Sequence, residues 1–391
     1  MNIRNRILPA ALTAGLVALS APAAAQQGRN DLQAELHIDV ATHAMPGAPG
    51  MGALGRLAGA MAGGGNSYGQ AHHPGMPGRH LDIALLNHAH PGTPAQQAVP
   101  QGLRLGPTID LLPPERSTQA SGNGGVGDGV AVGTGDGTFR VRYFWGCGET
   151  LRAGNQAEFT VTIRDGKMVQ SGRSMTPRQV PGVAETNSPR FALWPNPGAR
   201  ARVAGNASLV GNHALTGQSL PASMRFELGA DQDFMPELTL RQDGTPADGL
   251  ALHWEGVDHA LGYFAHATAM DGETMVMWSS SEDGYAGQEL MTYLPSRLVE
   301  QWTTRRTLMP ATARECRIPR EAFAGVENAP MVQMIAYGKE RTISQPGWKV
   351  TVRNKSTAML MPGMSAGQAG DAARPSVRDS ARGLLRGLIR R

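Results

Sequence analysis

The chain has 391 residues, of which 41% are hydrophobic, 17% charged and 5% aromatic, with 50 Gly, 27 Pro and a formal net charge of +4. Gly and Pro together fill about 20% of positions, against a usual share of roughly 12%, which excludes long helical bundles and coiled coils and favours turn-rich β structure. The positive charge sits at the ends: Arg4 and Arg6 lie in the first 25 residues and residues 371–391 hold six Arg against two Asp, so the body is near −2 and offers no basic surface for nucleic acid.

Residues 1–25 predict an export signal. Arg4 and Arg6 form a basic start, Ile7 to Ser20 is apolar, and small residues end at Ala23, Ala24 and Ala25 before Gln26. An apolar run of about 14 residues falls short of the roughly 20 that a membrane span needs. Cleavage after Ala25 is expected, and with it a place in the periplasm or outside a Gram-negative cell. The next stretch, 26–78, starts with a short strand at 34–40 (AELHIDV). It continues as a Gly, Pro, Met and Ala tract from Met45 to Gly78, with too few large apolar residues to offset its ordering entropy. The tract reads as a flexible segment. Seven of the eleven His fall between His37 and His90, with Met45, Met51, Met61 and Met76 among them. Imidazole and thioether suit copper, and His72, His73, Met76 and His80 are close enough in sequence to meet in one loop, with His88 and His90 as further candidates. Solvated loops also tolerate His freely, so copper stands as the alternative to a chain without a cofactor.

Residues 79–230 predict a first β domain. Strands are expected at 80–87 and 103–112, followed by a Gly-rich linker at 117–137. Its GNGGVG matches a dinucleotide fingerprint by letter but lacks the strand before it and the helix after it. Farther on, Phe139, Val141, Tyr143 and Trp145 share one face, and Phe159, Val161 and Ile163 alternate with Glu158, Thr160 and Thr162. The runs 191–194, 207–215 and 223–228 continue at the spacing expected of a sandwich. Cys147 and Cys316 are the two cysteines. In an oxidising compartment they form one disulfide; the alternative is two buried thiols.

Residues 231–361 predict a second β domain. Leu250, Leu252 and Trp254 point one way while His253 and Glu255 point the other, and Trp254, Val257, Ala260, Gly262 and Tyr263 spell W-x-x-V-x-x-A-x-G-Y. This pattern resembles the strand B to strand C region of bacterial fibronectin type III-like modules. The resemblance spans 235–361, about a third of the chain. It implies a core Trp, a Tyr that opens the next strand, and a later hairpin from MVQMIAY at Met331 and WKVTVRN at Trp348. In the latter, Trp348, Val350 and Val352 oppose Lys349, Thr351 and Arg353. Where the family has two short strands, between Trp278 and Met331, this chain has a long insertion. There Pro295 precedes Leu298, Val299 and Trp302 at helical spacing, which predicts a short helix through Arg306. As a whole the chain resembles exported proteins of Gram-negative bacteria, a resemblance that brings no activity with it.

The expected fold class is therefore mainly β, with two Ig- or fibronectin III-like β-sandwich domains and a short helical insertion in the second. Its candidate chemistry is thin. Asp231 with Asp233, and Glu282 with Asp283, are carboxylate pairs of the kind that serve as acids, bases or calcium ligands, and adjacent acids in turns are usually just solvated. His253, His259 and His266 flank the proposed B and C strands. Ser365 in GMSAG spells a nucleophile elbow without its strand-turn-helix context. Residues 362–391 read as a disordered basic tail. On a helix its Arg382, Arg386 and Arg390 would lie opposite Leu384, Leu385, Leu388 and Ile389, an arrangement suited to peripheral membrane contact. The expected function is a non-catalytic binding or envelope-associated module whose partner is a protein or envelope component. A periplasmic copper-handling protein and a hydrolase on a β scaffold are the alternatives.

Overall fold

The computed structural model describes residues 32–46, 67–72, 76–114, 137–164, 167–172, 180, 188–199, 201–284, 287–327 and 329–360. The expected export signal, the GNGGVG and GMSAG strings, His73, and the basic tail with Arg382, Arg386 and Arg390 lie outside them.

The protein is mainly β. The first half supplies β1 (Ala34–Ala44), β2 (Gly78–Asn87), β3 (Ala95–Ala98), β4 (Thr108–Leu111), β5 (Gly137–Trp145), β6 (Gln156–Arg164), β7 (Lys167–Gly172) and β8 (Phe191–Trp194). After these come β9 (Gly211–Gly217), β10 (Arg225–Leu228), β11 (Arg241–Thr245), β12 (Gly249–His253), β13 (Gly262–Asp271) and β14 (Thr274–Ser279). The remainder is helix α1 (Ser296–Thr304), β15 (Met309–Pro310), β16 (Glu315–Ile318), the single turn α2 (Arg320–Phe323), β17 (Met331–Gln345) and β18 (Trp348–Leu360). None of the described helices is long and apolar enough to cross a membrane.

Eleven strands form one large sheet in the order β7-β6-β5-β14-β13-β17-β18-β1-β2-β8, with β15 paired to β13. Toward the β8 edge of this sheet β1 runs parallel to β18 over its whole length, from Ala34 opposite Trp348 to Ala44 opposite Ala358, and antiparallel to β2 on its other side. Two smaller sheets, β10-β9-β3-β4 and β11-β12-β16, pack against it.

Strand pleating assigns the cores. Along β18 the even-numbered residues Trp348, Val350 and Val352 join Leu36, Ile38 and Val40 of β1 and Ile83 of β2. Together they pack against Ile109, Leu215, Phe226 and Leu228 of the four-stranded sheet. Farther along the same face, Ala358 and Leu360 join Tyr263, Ala265, Val276, Trp278 and Met334, which meet Leu250, Leu252, Trp254 and Ile318 around the three-stranded sheet. Both small sheets therefore cover one face, the inner face, of the large sheet. Each large apolar side chain buried there contributes about 1.5–3 kcal/mol relative to exposure.

The opposite, outer face is also covered in its central part. Val299 and Trp302 of α1 pack with Leu290, Met291 and Leu294 of the preceding segment against Phe264 of β13 and Ile335 and Tyr337 of β17. Pro295 caps the helix at its start, and Val299 and Trp302 are its buried side chains.

Several boundaries differ from the sequence reading, for local reasons. β1 runs four residues beyond 40 because Ala41, Thr42 and His43 are buried between β2 and β18. The stretch 103–112 yields strand only at Thr108–Leu111, since Gln101–Leu103 is a 3-10 turn closed by Arg104 in a left-handed conformation. In 207–215 the ladder starts at Gly211, because the amides of Ser208 and Leu209 donate instead to the Gly102 carbonyl and the Asp233 carboxylate. Cys147, just past β5, and Cys316 of β16 form a disulfide with 5.3 Å between their Cα atoms, which settles the choice between a bridge and two thiols.

Candidate functional site

The densest gathering of ionisable side chains lies on the outer face, where β2, β1 and β18 run side by side. The register places Asp82 opposite Asp39, and Asp39 opposite Arg353. Two positions along, Lys355 stands opposite Ala41, and two further His43 stands opposite Thr357. Alternation turns all of them away from the apolar inner face. Residues 67–72 and the segment before α1, with Tyr293, then close over them, so that Asp39, His43, Asp82, Tyr293 and Lys355 are all buried.

Asp39 is the hub. Arg353 grips its carboxylate with two hydrogen bonds, Nε to Oδ1 at 2.8 Å and Nη2 to Oδ2 at 2.7 Å, and His72 Nε2 meets Oδ2 at 2.9 Å. Burial alone would raise the Asp39 pKa. The charge of Arg353 and the hydrogen bonds from Arg353 and His72 outweigh it and hold the carboxyl far below the usual range.

Lys355 is fully buried. Its Nζ donates to the carbonyls of His72 at 3.1 Å and Met291 at 3.4 Å and lies 4.6 Å from the centre of the Tyr293 ring. The Arg353 guanidinium stands 5.0 Å from the same ring. Desolvation pushes the Lys355 ammonium down to about 7, with the field of Arg353 acting in the same direction against those of Asp39 and Asp82. Asp82 accepts from the Ala71 amide through Oδ2 at 2.9 Å, while its Oδ1 is buried without a partner. Desolvation pushes that carboxyl up to about 7. The Tyr293 hydroxyl donates to the Ala71 carbonyl at 3.3 Å, and burial raises its pKa well above 10.

His43 is wedged between two oxygens. Its Nε2 faces the Gln70 carbonyl at 3.1 Å, which requires the proton there, and its Nδ1 then accepts from the Thr357 hydroxyl at 2.7 Å. Desolvation, then the charge of Lys355, keeps this imidazole neutral well below its ordinary pKa. His80 lies alongside, ring centres 4.9 Å apart, and donates Nε2 to the Met76 carbonyl at 2.9 Å.

Of the residues singled out as copper ligands, His72 and His80 thus enter one buried neighbourhood, but the ε nitrogen of each already has a partner, and Met76 meets His80 through its carbonyl. Among the described residues no three His, Cys, Asp or Glu side chains are disposed to hold a metal ion. His88 pairs with Glu35 at the surface. The other sequence candidates are scattered. Asp231 is exposed and bridges His259 and Lys339, whereas Asp233 accepts from Ser208 and Leu209. Glu282 pairs with Arg152 and Arg306. His253, at the end of the middle strand β12, faces Asp243 of β11 in the three-stranded sheet. His266 is buried on the outer face.

Asp39, His43, Asp82, Tyr293, Arg353 and Lys355 were not singled out from sequence. For all but Tyr293, which precedes α1, the signal available was alternation with apolar residues in β1, β2 and β18, which reads as a solvent-facing row.

No family model, curated protein or solved structure matches this chain. The residues alone therefore carry the functional argument.

Proposed function

We propose that the chain is an exported, non-catalytic β protein that acts as a binding or envelope-associated module. The observation that carries this reading is that the outer-face cluster is buried and most of its polar atoms are already hydrogen-bonded, Asp82 Oδ1 being the exception. Arg353 and His72 occupy the Asp39 carboxylate, two carbonyls hold the Lys355 ammonium, and Thr357 and Gln70 engage both nitrogens of His43. Groups committed in this way under covering segments lock pieces of chain together. A catalytic acid, base or nucleophile needs a free lone pair or proton within reach of a substrate.

The strand order supports a fibronectin III-like sandwich for 235–361. A three-stranded sheet β11-β12-β16 faces the run β14-β13-β17-β18 across a shared core, the arrangement in which strands A, B and E oppose strands C′, C, F and G. Trp254 at the end of β12 and Tyr263 in β13 meet there with ring centres 5.5 Å apart. The four-stranded sheet supports a second sandwich in the same way. The Cys147–Cys316 disulfide and the signal-like first 25 residues support export.

The test is co-sedimentation. Mature chain from Gln26 is mixed with washed Gram-negative envelope fragments and with anionic lipid vesicles, beside a form lacking residues 371–391. The mature chain is expected to pellet with the envelope fragments, and the truncated form is expected to lose its vesicle binding. A mature chain that stays in the supernatant with both overturns the reading.

A further inference from the structure

Residues 67–72 lie between β1 and β2 in sequence and rest on the outer face, where Tyr68 packs against Ala84, Phe191 and Leu193 and ionisable side chains of the body or of the segment make five polar contacts. Asp82 accepts from Ala71, Tyr293 donates to Ala71, His43 donates to Gln70, Lys355 donates to His72, and the His72 ring meets Asp39. We propose that this segment is a pH-sensitive latch, closed over the outer face while His43 is neutral and opened by acid when His43 and His80 become cationic beside Lys355 and Arg353.

The groups around His43 come from every packed element. β18 supplies Lys355 and Arg353, and β2 supplies His80 and Asp82. β1 supplies Asp39, the segment itself His72 and Tyr68, and the chain before α1 Tyr293. Arg202 acts on His80 from outside, and His37 and Glu340 stand next along the same face beside Asp39 and Arg353.

The balance of charge sets the direction. Between pH 6.5 and 4 Asp39 remains ionised, held by Arg353, and Lys355 is protonated whether the segment is closed or open. In the closed form desolvation holds His43 well below, and His80 below, the ordinary imidazole pKa, so opening takes up protons at both, at most two. Asp82 works against them: its carboxyl is protonated when closed below about 7 and ionises on opening, releasing one. The balance is a net uptake of up to about one proton, which shifts the ratio of open to closed by up to about tenfold for each unit of pH.

Hydrogen exchange read by mass spectrometry on the mature chain from pH 8 to 4.5, corrected for the intrinsic rate, tests this. Amides of residues 68–72 are expected to exchange faster by up to about tenfold per unit below pH 6.5, while those of β13 and β17 hold steady. His43→Gln keeps a donor for Gln70 and an acceptor for Thr357 but cannot be protonated, so its slope is expected to vanish. Asp82→Asn removes the opposing proton, and its slope is expected to steepen toward about a hundredfold per unit. Both variants are compared with the parent by near-ultraviolet circular dichroism at pH 8, so that loss of folding is recognised independently. A flat parent profile, folded variants that keep the parent slope, or β13 and β17 opening in step with the segment would each overturn the latch. The failure of the latch would leave the envelope-binding reading untouched, since co-sedimentation does not depend on it.

Discussion

His266 shows how a single outer-face residue can set acid tolerance. It is buried on β13, its Nε2 has no hydrogen-bond partner, and Gln333 beside it on β17 has an equally orphaned Oε1. Desolvation pushes the imidazole down to about 4. A histidine whose folded pKa lies below its unfolded value contributes nothing to pH dependence above 6.5 and costs stability increasingly as pH falls toward 4, because the unfolded chain binds the proton first. At pH 5 the cost is about 2 kcal/mol. His266→Leu is expected to lie within about 1 kcal/mol of the parent at pH 7 and to exceed it at pH 5 by that amount, as read by urea denaturation at the two pH values. Asp39→Asn is expected to act at both, at a cost of about 3–5 kcal/mol, because it leaves the Arg353 guanidinium buried beside a neutral partner. The sequence pointed at His72 and His80 through their clustering, and at nothing else in this cluster. Asp39, Arg353 and Lys355 occupy the polar beats of β1 and β18, and such beats ordinarily face water. What covers them comes from 67–72 and 288–294, far away in the chain, so no local pattern distinguishes a solvated row from a buried one.

Single elements were far easier to read than their surroundings. Trp348, Val350 and Val352 alternate with Lys349, Thr351 and Arg353 in both sequence and burial, and Leu298, Val299 and Trp302 at helical spacing do mark a helix, α1. Trp302→Ala is expected to cost about 3–5 kcal/mol in thermal or urea unfolding, since its ring fills the gap between α1 and the sheet. What periodicity could not register is the break in pairing on β17, where the register to β18 shifts between Tyr337 and Glu340. Gly338 lies inside that break, and a methyl group there would run into the Asn354 amide, which donates to the carbonyls of Asp231 and Asp233. Gly338→Ala is therefore expected to destabilise by about 1–3 kcal/mol and to loosen the 230–233 turn, seen as faster amide exchange at Gln232 and Asp233. The shift restores alternation beyond it, which is why Ile343 returns to the inner core.

At the scale of the molecule, the large sheet gathers strands from 26–78, from 79–230 and from 231–361. The pairings that unite them, β1 with β18 and β14 with β5, join residues far apart in sequence. Alternation reveals that a strand exists but not its neighbour, so composition and pattern gave the mainly β class while the order of strands had to come from coordinates. The disulfide works at this same scale, fastening the end of β5 to the three-stranded sheet across 169 residues. Reduction, or Cys147→Ser with Cys316→Ser, is expected to lower stability by about 2–5 kcal/mol in calorimetry with and without reductant. The parallel β1–β18 ladder imposes a further condition on biosynthesis. β1 is made some three hundred residues before its parallel mate, β18. A growing polypeptide carries Leu36, Ile38 and Val40 without that partner until β18 has been made, so closing this ladder is a late step of folding.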